Sequence, residues 1–140
     1  MSKTFIEYRS GYKYQLASNY SIKSNIKPNK EVDDKFIKLD KNGYLTIVEG
    51  YAWDGPSGPV VDTNENLRAS LIHDAFYQLM RHRRITAKEY KDKADKLFKK
   101  ICIDDGVPAA TAKIYYIGLK MGGKPSTDPK NKKKVHRAPK

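Results

Sequence analysis

Cysteine is almost missing from this chain. One residue, Cys102, among 140 excludes an intramolecular disulfide and any metal site built on several thiolates. Long apolar runs are missing too. No stretch approaches the roughly 20 residues that a membrane-spanning helix needs, and the opening MSKTFIEYRSGYKY has no apolar signal core. Acidic residues are in short supply. Sixteen Asp and Glu stand against 28 Lys and Arg, a formal charge of +12. That excess predicts attraction to an anionic partner: nucleic acid, an anionic membrane or an acidic protein face. There is no P-loop, no dinucleotide fingerprint, no GxSxG and no internal repeat. The expectation is a protein made in a cytoplasm, neither secreted by a signal peptide nor transmembrane, that does not cradle nucleotides.

The residues present predict an α+β architecture. TFIEYRS and YKYQLASNYSI are rich in Tyr, Ile, Ser and Thr and read as short strands parted at Gly11. Residues 25–35, broken by Pro28, read as a polar loop. In FIKLDKNGYLTIVEGYAWD, Asn42-Gly43 supplies the turn of a β-hairpin whose second strand runs on into Tyr51-Ala52-Trp53. GPSGPVVDT then halts regular structure with a constrained loop.

Helical spacing begins near residue 64, with Asp62, Thr63 and Asn64 as candidate caps. Leu67, Leu71, Ala75 and Leu79 form one apolar stripe, with His73, Tyr77 and Met80 about 100° round the helix. The basic turn Arg81-His82-Arg83-Arg84 precedes a capping box, TAKE, at Thr86 and Glu89. A second helix over 87–103 follows, with Ala87, Tyr90, Ala94, Leu97, Phe98 and Ile101 as its stripe. A third spans roughly 108–121, with Ile114, Tyr115, Ile117 and Leu119 available for packing. The expected organisation is an N-terminal antiparallel hairpin or small sheet on a three-helix unit, its centre an antiparallel helical hairpin. Residues 1–123 form this domain and 124–140 a basic tail, disordered unless bound.

The hairpin places chemistry. If its turn centres on residue 84, His73 faces Asp95, because 84 is the mean of 73 and 95. A carboxylate on one imidazole nitrogen fixes the tautomer and leaves the other to take a proton from water. Tyr77, at i+4, can support Asp95. Asp74 points towards the glycine loop, whose carbonyls and Asp54 are hard oxygen ligands suited to calcium. A His–Asp pair at such a place either pins two helices together or moves a proton, and the sequence leaves both open. The Arg81, Arg83 and Arg84 turn and the tail lysines Lys132, Lys133 and Lys134 are candidate anion contacts, or solubilising charge.

Two resemblances bear on this pattern. Gly55 and Gly58, then His73-Asp74 with Tyr77, then Ala94-Asp95 resemble the phospholipase A2 superfamily, in particular the disulfide-poor type embedded in parvoviral capsid proteins. The likeness covers about residues 51–103. It implies His73 as general base, Asp95 as its orienting partner, and calcium held by Asp74 with Asp54, Gly55 and Gly58. The blocks YAWDGPSGPVVDT, LRASLIHDAFYQLMR, ADKLF and a final YY…GG resemble a small family of tailed phages and prophages without assigned biochemistry. That likeness spans roughly 44–123 and implies a phage origin. The expected function is a phage-encoded, phospholipase A2-like hydrolase, possible cofactor Ca2+, acting on an ester or anionic lipid. The alternative is a non-enzymatic virion or assembly protein. Its basic tail would dock on other virion proteins or nucleic acid.

Overall fold

The computed structural model describes residues 4–9, 13–56, 60, 62–122 and 127–128. Among the described residues, seven strands precede three helices: β1 Tyr8–Arg9, β2 Tyr14–Leu16, β3 Tyr20–Lys23, β4 Val32–Asp34, β5 Ile37–Leu39, β6 Tyr44–Ile47, β7 Ala52–Trp53, α1 Leu67–Arg81, α2 Ala87–Asp104 and α3 Ala109–Gly122. The strands form two antiparallel sheets, ordered β1-β2-β7 and β3-β6-β5-β4. The α+β class and the helical hairpin are as the sequence predicts.

The larger sheet follows from strict alternation. Ile37 and Leu39 of β5, Leu45 and Ile47 of β6, and Tyr20 and Ile22 of β3 are buried, while Lys38 between the β5 pair and Lys23 after Ile22 are exposed and Ser21 and Thr46 half-buried. Side chains alternate across a strand, so one face feeds the core and the other meets solvent. These residues join Leu71, Ile72, Phe76 and Leu79 of α1 in one apolar cluster. Each fully buried Leu, Ile or Phe contributes about 1.5–3 kcal/mol relative to exposure.

Several boundaries differ from expectation. The stretch YKYQLASNYSI splits between the sheets, because the chain turns at residues 17–19 and Asn19 Oδ1 accepts from the Glu49 amide at 2.7 Å. The second hairpin strand does not run into Trp53. It ends at Ile47, and Gly50, with φ +97°, turns the chain so that β7 pairs with β2. Residues 25–35 are not all loop: β4 pairs with β5, and Val32 is buried. At the Asn42-Gly43 turn only Gly43 takes a positive φ, +90°. Asp40 Oδ1 holds the turn by accepting from the Asn42 and Tyr44 amides, each at 2.9 Å.

The helix starts also differ. Asn66, not Asp62, Thr63 or Asn64, precedes α1, and its Oδ1 accepts from the Thr63 amide at 3.1 Å. Thr86 precedes α2 without capping an amide; its hydroxyl donates to Glu89 Oε1 at 3.1 Å. In α3 Ile114 and Ile117 do not pack but stay 66% and 45% exposed, while Ala112 and Leu119 face the core. The helix reaches Gly122. The expected tail lies outside the described residues except Thr127 and Asp128, of which Thr127 is buried.

One brace has no counterpart in the sequence reading. Arg68 is buried at the start of α1 and grips Asp105, just past α2, through Nε at 2.9 Å and Nη2 at 2.8 Å. Its Nη1 donates to the Tyr20 hydroxyl of β3 at 2.8 Å. One planar fork thus ties two helices to the larger sheet.

Candidate functional site

The helical hairpin positions the site. α1 and α2 are joined by residues 82–86, where Arg83 takes φ +60° and the Arg84 amide donates to Leu79 O at 2.8 Å. Folding back about this turn brings His73 Nε2 within 2.7 Å of Asp95 Oδ1. Tyr77, one turn after His73, donates its hydroxyl to the same oxygen at 2.5 Å. Asp95 Oδ2 accepts from Lys91 Nζ at 2.8 Å, and that ammonium also donates to Leu119 O of α3 at 3.0 Å. Asp95 is therefore a hub: both oxygens are occupied, and three donors from two helices converge on them.

Burial pushes the Asp95 carboxyl upward, but the bonds from His73, Lys91 and Tyr77 together outweigh it and hold it below its ordinary value. Burial, reinforced by the adjacent carboxylate, pushes the Tyr77 hydroxyl well up, so it remains a donor. Against an ionised carboxylate, His73 Nε2 is the donor and Nδ1 of the neutral ring is the acceptor. The ring lies 4.0 Å from the Tyr77 ring and 5.2 Å, edge-on, from Phe98.

His73 is 4% exposed and Asp95 0%. Nε2 is spoken for, while Nδ1 has no partner among the described residues. Yet no buried side-chain nitrogen or oxygen among the described residues lacks a partner. The imidazole thus has one nitrogen bonded, in a residue that keeps 4% of its surface exposed. A purely bracing histidine in a sealed core would need a bond at that nitrogen as well.

The expected metal residues divide. Asp74 is half-buried, and its Oδ2 accepts a short bond from the Tyr51 hydroxyl, which also reaches Gln78 Oε1 at 3.3 Å. Burial first, and Asp74 second, push that hydroxyl well up. Asp54 is exposed. Gly55 is buried with φ +84°, and a Cβ there would lie 2.8 Å from Asp62 Oδ1. Asp62, expected as a helix cap, instead closes on the loop and accepts from the Tyr14 hydroxyl at 2.7 Å. Gly58 lies outside the described residues. No group of three His, Cys, Asp or Glu able to hold a metal occurs among the described residues.

The expected anion contacts are likewise spread out. Arg81 is half-buried, and Arg83 and Arg84 are exposed. Arg84 Nη2 donates to Asp33 O at 3.1 Å, and His82 Nδ1 pairs with Asp34 Oδ2 at 2.8 Å. The basic turn thus latches the hairpin to β4. Lys132, Lys133 and Lys134 lie outside the described residues. Sequence reasoning missed Lys91 as a partner of Asp95, although the i, i+4 spacing was visible.

The fold and the site together define an α+β domain whose helical hairpin encloses a His–Asp–Tyr network. The chain belongs to the family described as protein of unknown function, DUF1353, which matches residues 30–119. That match includes His73, Tyr77, Lys91 and Asp95 and leaves out β1, β2 and β3. No curated protein and no solved structure matches the chain. Among the described residues, no helix is long and apolar enough to cross a membrane.

Proposed function

We propose that the chain is a phage-encoded hydrolase of phospholipase A2-like chemistry, with His73 as its general base. The observation that carries this reading is the division of labour on the imidazole: Nε2 is held by Asp95, and Nδ1 has no partner among the described residues. Water at Nδ1 gives its proton to the ring as its oxygen adds to an ester carbonyl. The tetrahedral adduct collapses, the C–O bond to the alcohol breaks, and the imidazolium returns the proton to the departing alkoxide. Asp95 stays ionised throughout and stabilises the imidazolium, while Tyr77 keeps the carboxylate in place. The charge of +12 favours an anionic lipid as the ester. The phage assignment rests on the separated blocks WDGPSGP, HDAFYQLMR and ADKLF.

The test uses the full chain on vesicles of mixed phosphatidylcholine and phosphatidylglycerol. Fatty-acid release is followed with calcium and with chelator. His73→Gln is the decisive variant. Its amide can still donate to Asp95 but cannot take a proton, so release falls by about 100-fold or more while circular dichroism is unchanged. No release above blank in either ionic condition, or full activity in His73→Gln, removes the hydrolase reading. The chelator arm reads whether calcium takes part.

A second reading is favoured by Lys91. An acid with 0% exposure and three donors has the properties of a structural hub. On that reading the chain is a non-enzymatic virion or assembly protein whose basic tail docks on protein or nucleic acid. Its signature is incorporation into purified particles that is lost when residues 124–140 are removed.

A further inference from the structure

A groove of about 820 Å³ lies between the β3 side of the larger sheet and α2, away from the His73 network and lined by neither His73 nor Asp95. Its floor is apolar: Ile22, Leu97 and Ile101. Its rim carries Lys93, Lys96 and Lys100. All three lysines are exposed. Lys96 pairs with Asp92 at 3.1 Å and Lys100 with Asp104 at 3.2 Å. Such exposed i, i+4 pairs are exchanged for other anions at little net cost.

The spacing selects the occupant. Along the helix axis, Lys93 to Lys96 spans about 4.5 Å and Lys96 to Lys100 about 6 Å. An extended chain presents every second side chain on one side about every 6.6–6.8 Å. A row of cations about 10 Å long therefore suits several carboxylates on an extended segment, whereas a single anionic head group engages only one end. The described lining holds no aromatic ring for a base to stack on. The chain's own undescribed residues contain no Asp or Glu, so they do not supply the carboxylates that this row suits. Asp104 sits at the far end of the row, paired with Lys100, so a ligand carboxylate reaches Lys100 by displacing that exposed pair.

We propose that this groove binds an extended acidic segment of a second protein, its carboxylates on the Lys93–Lys96–Lys100 row and an apolar side chain on Ile22, Leu97 and Ile101. The site is independent of His73 and stands whether or not the chain is a hydrolase.

Fluorescence anisotropy of the full chain with a labelled peptide of about twelve residues, alternating Glu and Leu, tests it. A Glu–Ser peptide of the same length and a single-stranded oligothymidylate serve as comparisons. Lys93→Glu/Lys96→Glu/Lys100→Glu is set against Lys35→Glu/Lys38→Glu/Lys41→Glu, which makes the same change in net charge at exposed positions elsewhere. The expected result is an affinity loss of about tenfold or more in the groove variant and under about threefold in the control. The Glu–Ser peptide should bind more weakly than Glu–Leu. Equal losses in both variants, equal affinity for the oligothymidylate, or no binding of Glu–Leu to the native chain overturns the proposal.

Discussion

Replacing Asp95 by Asn changes the charge at the hub and almost nothing of its shape. The native carboxylate accepts from His73 at 2.7 Å, Tyr77 at 2.5 Å and Lys91 at 2.8 Å. Asparagine has one acceptor oxygen. Turned towards His73 and Tyr77, it keeps those bonds in neutral form and points its NH2 at the Lys91 ammonium. Turned the other way, it serves Lys91 and abandons the other two. Either way a donor is stranded beside a buried side chain, and Lys91, only 15% exposed, loses its counter-charge. Removing one member of a buried ion pair costs about 3–5 kcal/mol.

Urea unfolding of Asp95→Asn at pH 7 should therefore show a loss of about 3–5 kcal/mol. The pH dependence carries a second signature. The folded-state carboxyl is held below its ordinary value of 3.8. Its contribution is fully present above the unfolded-state value and disappears as pH falls through the folded-state value. The gap between native protein and variant should be constant from neutral pH down to about 5, then narrow below about 4. A gap under about 1 kcal/mol at pH 7, the size of an exposed pair, or one that stays constant on acidification, refutes the account of Asp95 as a buried, ionised hub.

Three further outcomes follow from single contacts. A Cβ at Gly43, where φ is +90°, would meet Ser24 O at 2.2 Å, so Gly43→Ala should lower stability by at least about 1–3 kcal/mol in urea titration; an unchanged midpoint contradicts this. Arg68→Met removes the counter-charge of Asp105 and a donor to the Tyr20 hydroxyl and should cost about 3–5 kcal/mol and lower Tm, while an equal or higher Tm would show that the brace can be replaced by apolar packing. The Cys102 thiol is buried, and burial followed by nearby Asp105 pushes it up to about 12. Native protein at pH 8 should resist a disulfide reagent that labels the chain fully in denaturant, and rapid native labelling counts against that burial.

The parts legible in the sequence were those governed by a local period. The α1 stripe, the lysine-covered α2 and the placement of His73 opposite Asp95 all follow from helical geometry and a turn near residue 84. The parts that were not legible depend on what a segment meets. Val32-Asp33-Asp34 has a weak strand pattern and becomes β4 because β5 offers it a partner. Ile114 and Ile117 look like core residues, but among the described residues α3 packs chiefly on α2, and the inward side takes Ala112 and Leu119, with Tyr115 partly buried. Asp62 has the chemistry of a helix cap; its use on Tyr14 and Gly55 depends on how the glycine loop returns. Lys91 read as one more surface lysine, because nothing local marks a lysine whose ammonium will be turned inward.

That ammonium bears on how well the proposed base can work. In forming an imidazolium, His73 calls on the Asp95 charge, and Lys91 already shares it through Oδ2. One carboxylate between two cations stabilises each less than it would stabilise either alone. Lys91 therefore weakens the electrostatic support for proton uptake while it secures the geometry, because it also ties Asp95 to Leu119 of α3. Lys91→Met separates the two effects. If His73 is a base, the variant should lose stability through its unanchored α3, yet each folded molecule should release fatty acid faster than the native one, because the imidazolium no longer shares the Asp95 charge. If the network is only a brace, stability alone should change. A variant that loses stability while release per folded molecule stays at the native rate breaks the link between Asp95 and the chemistry.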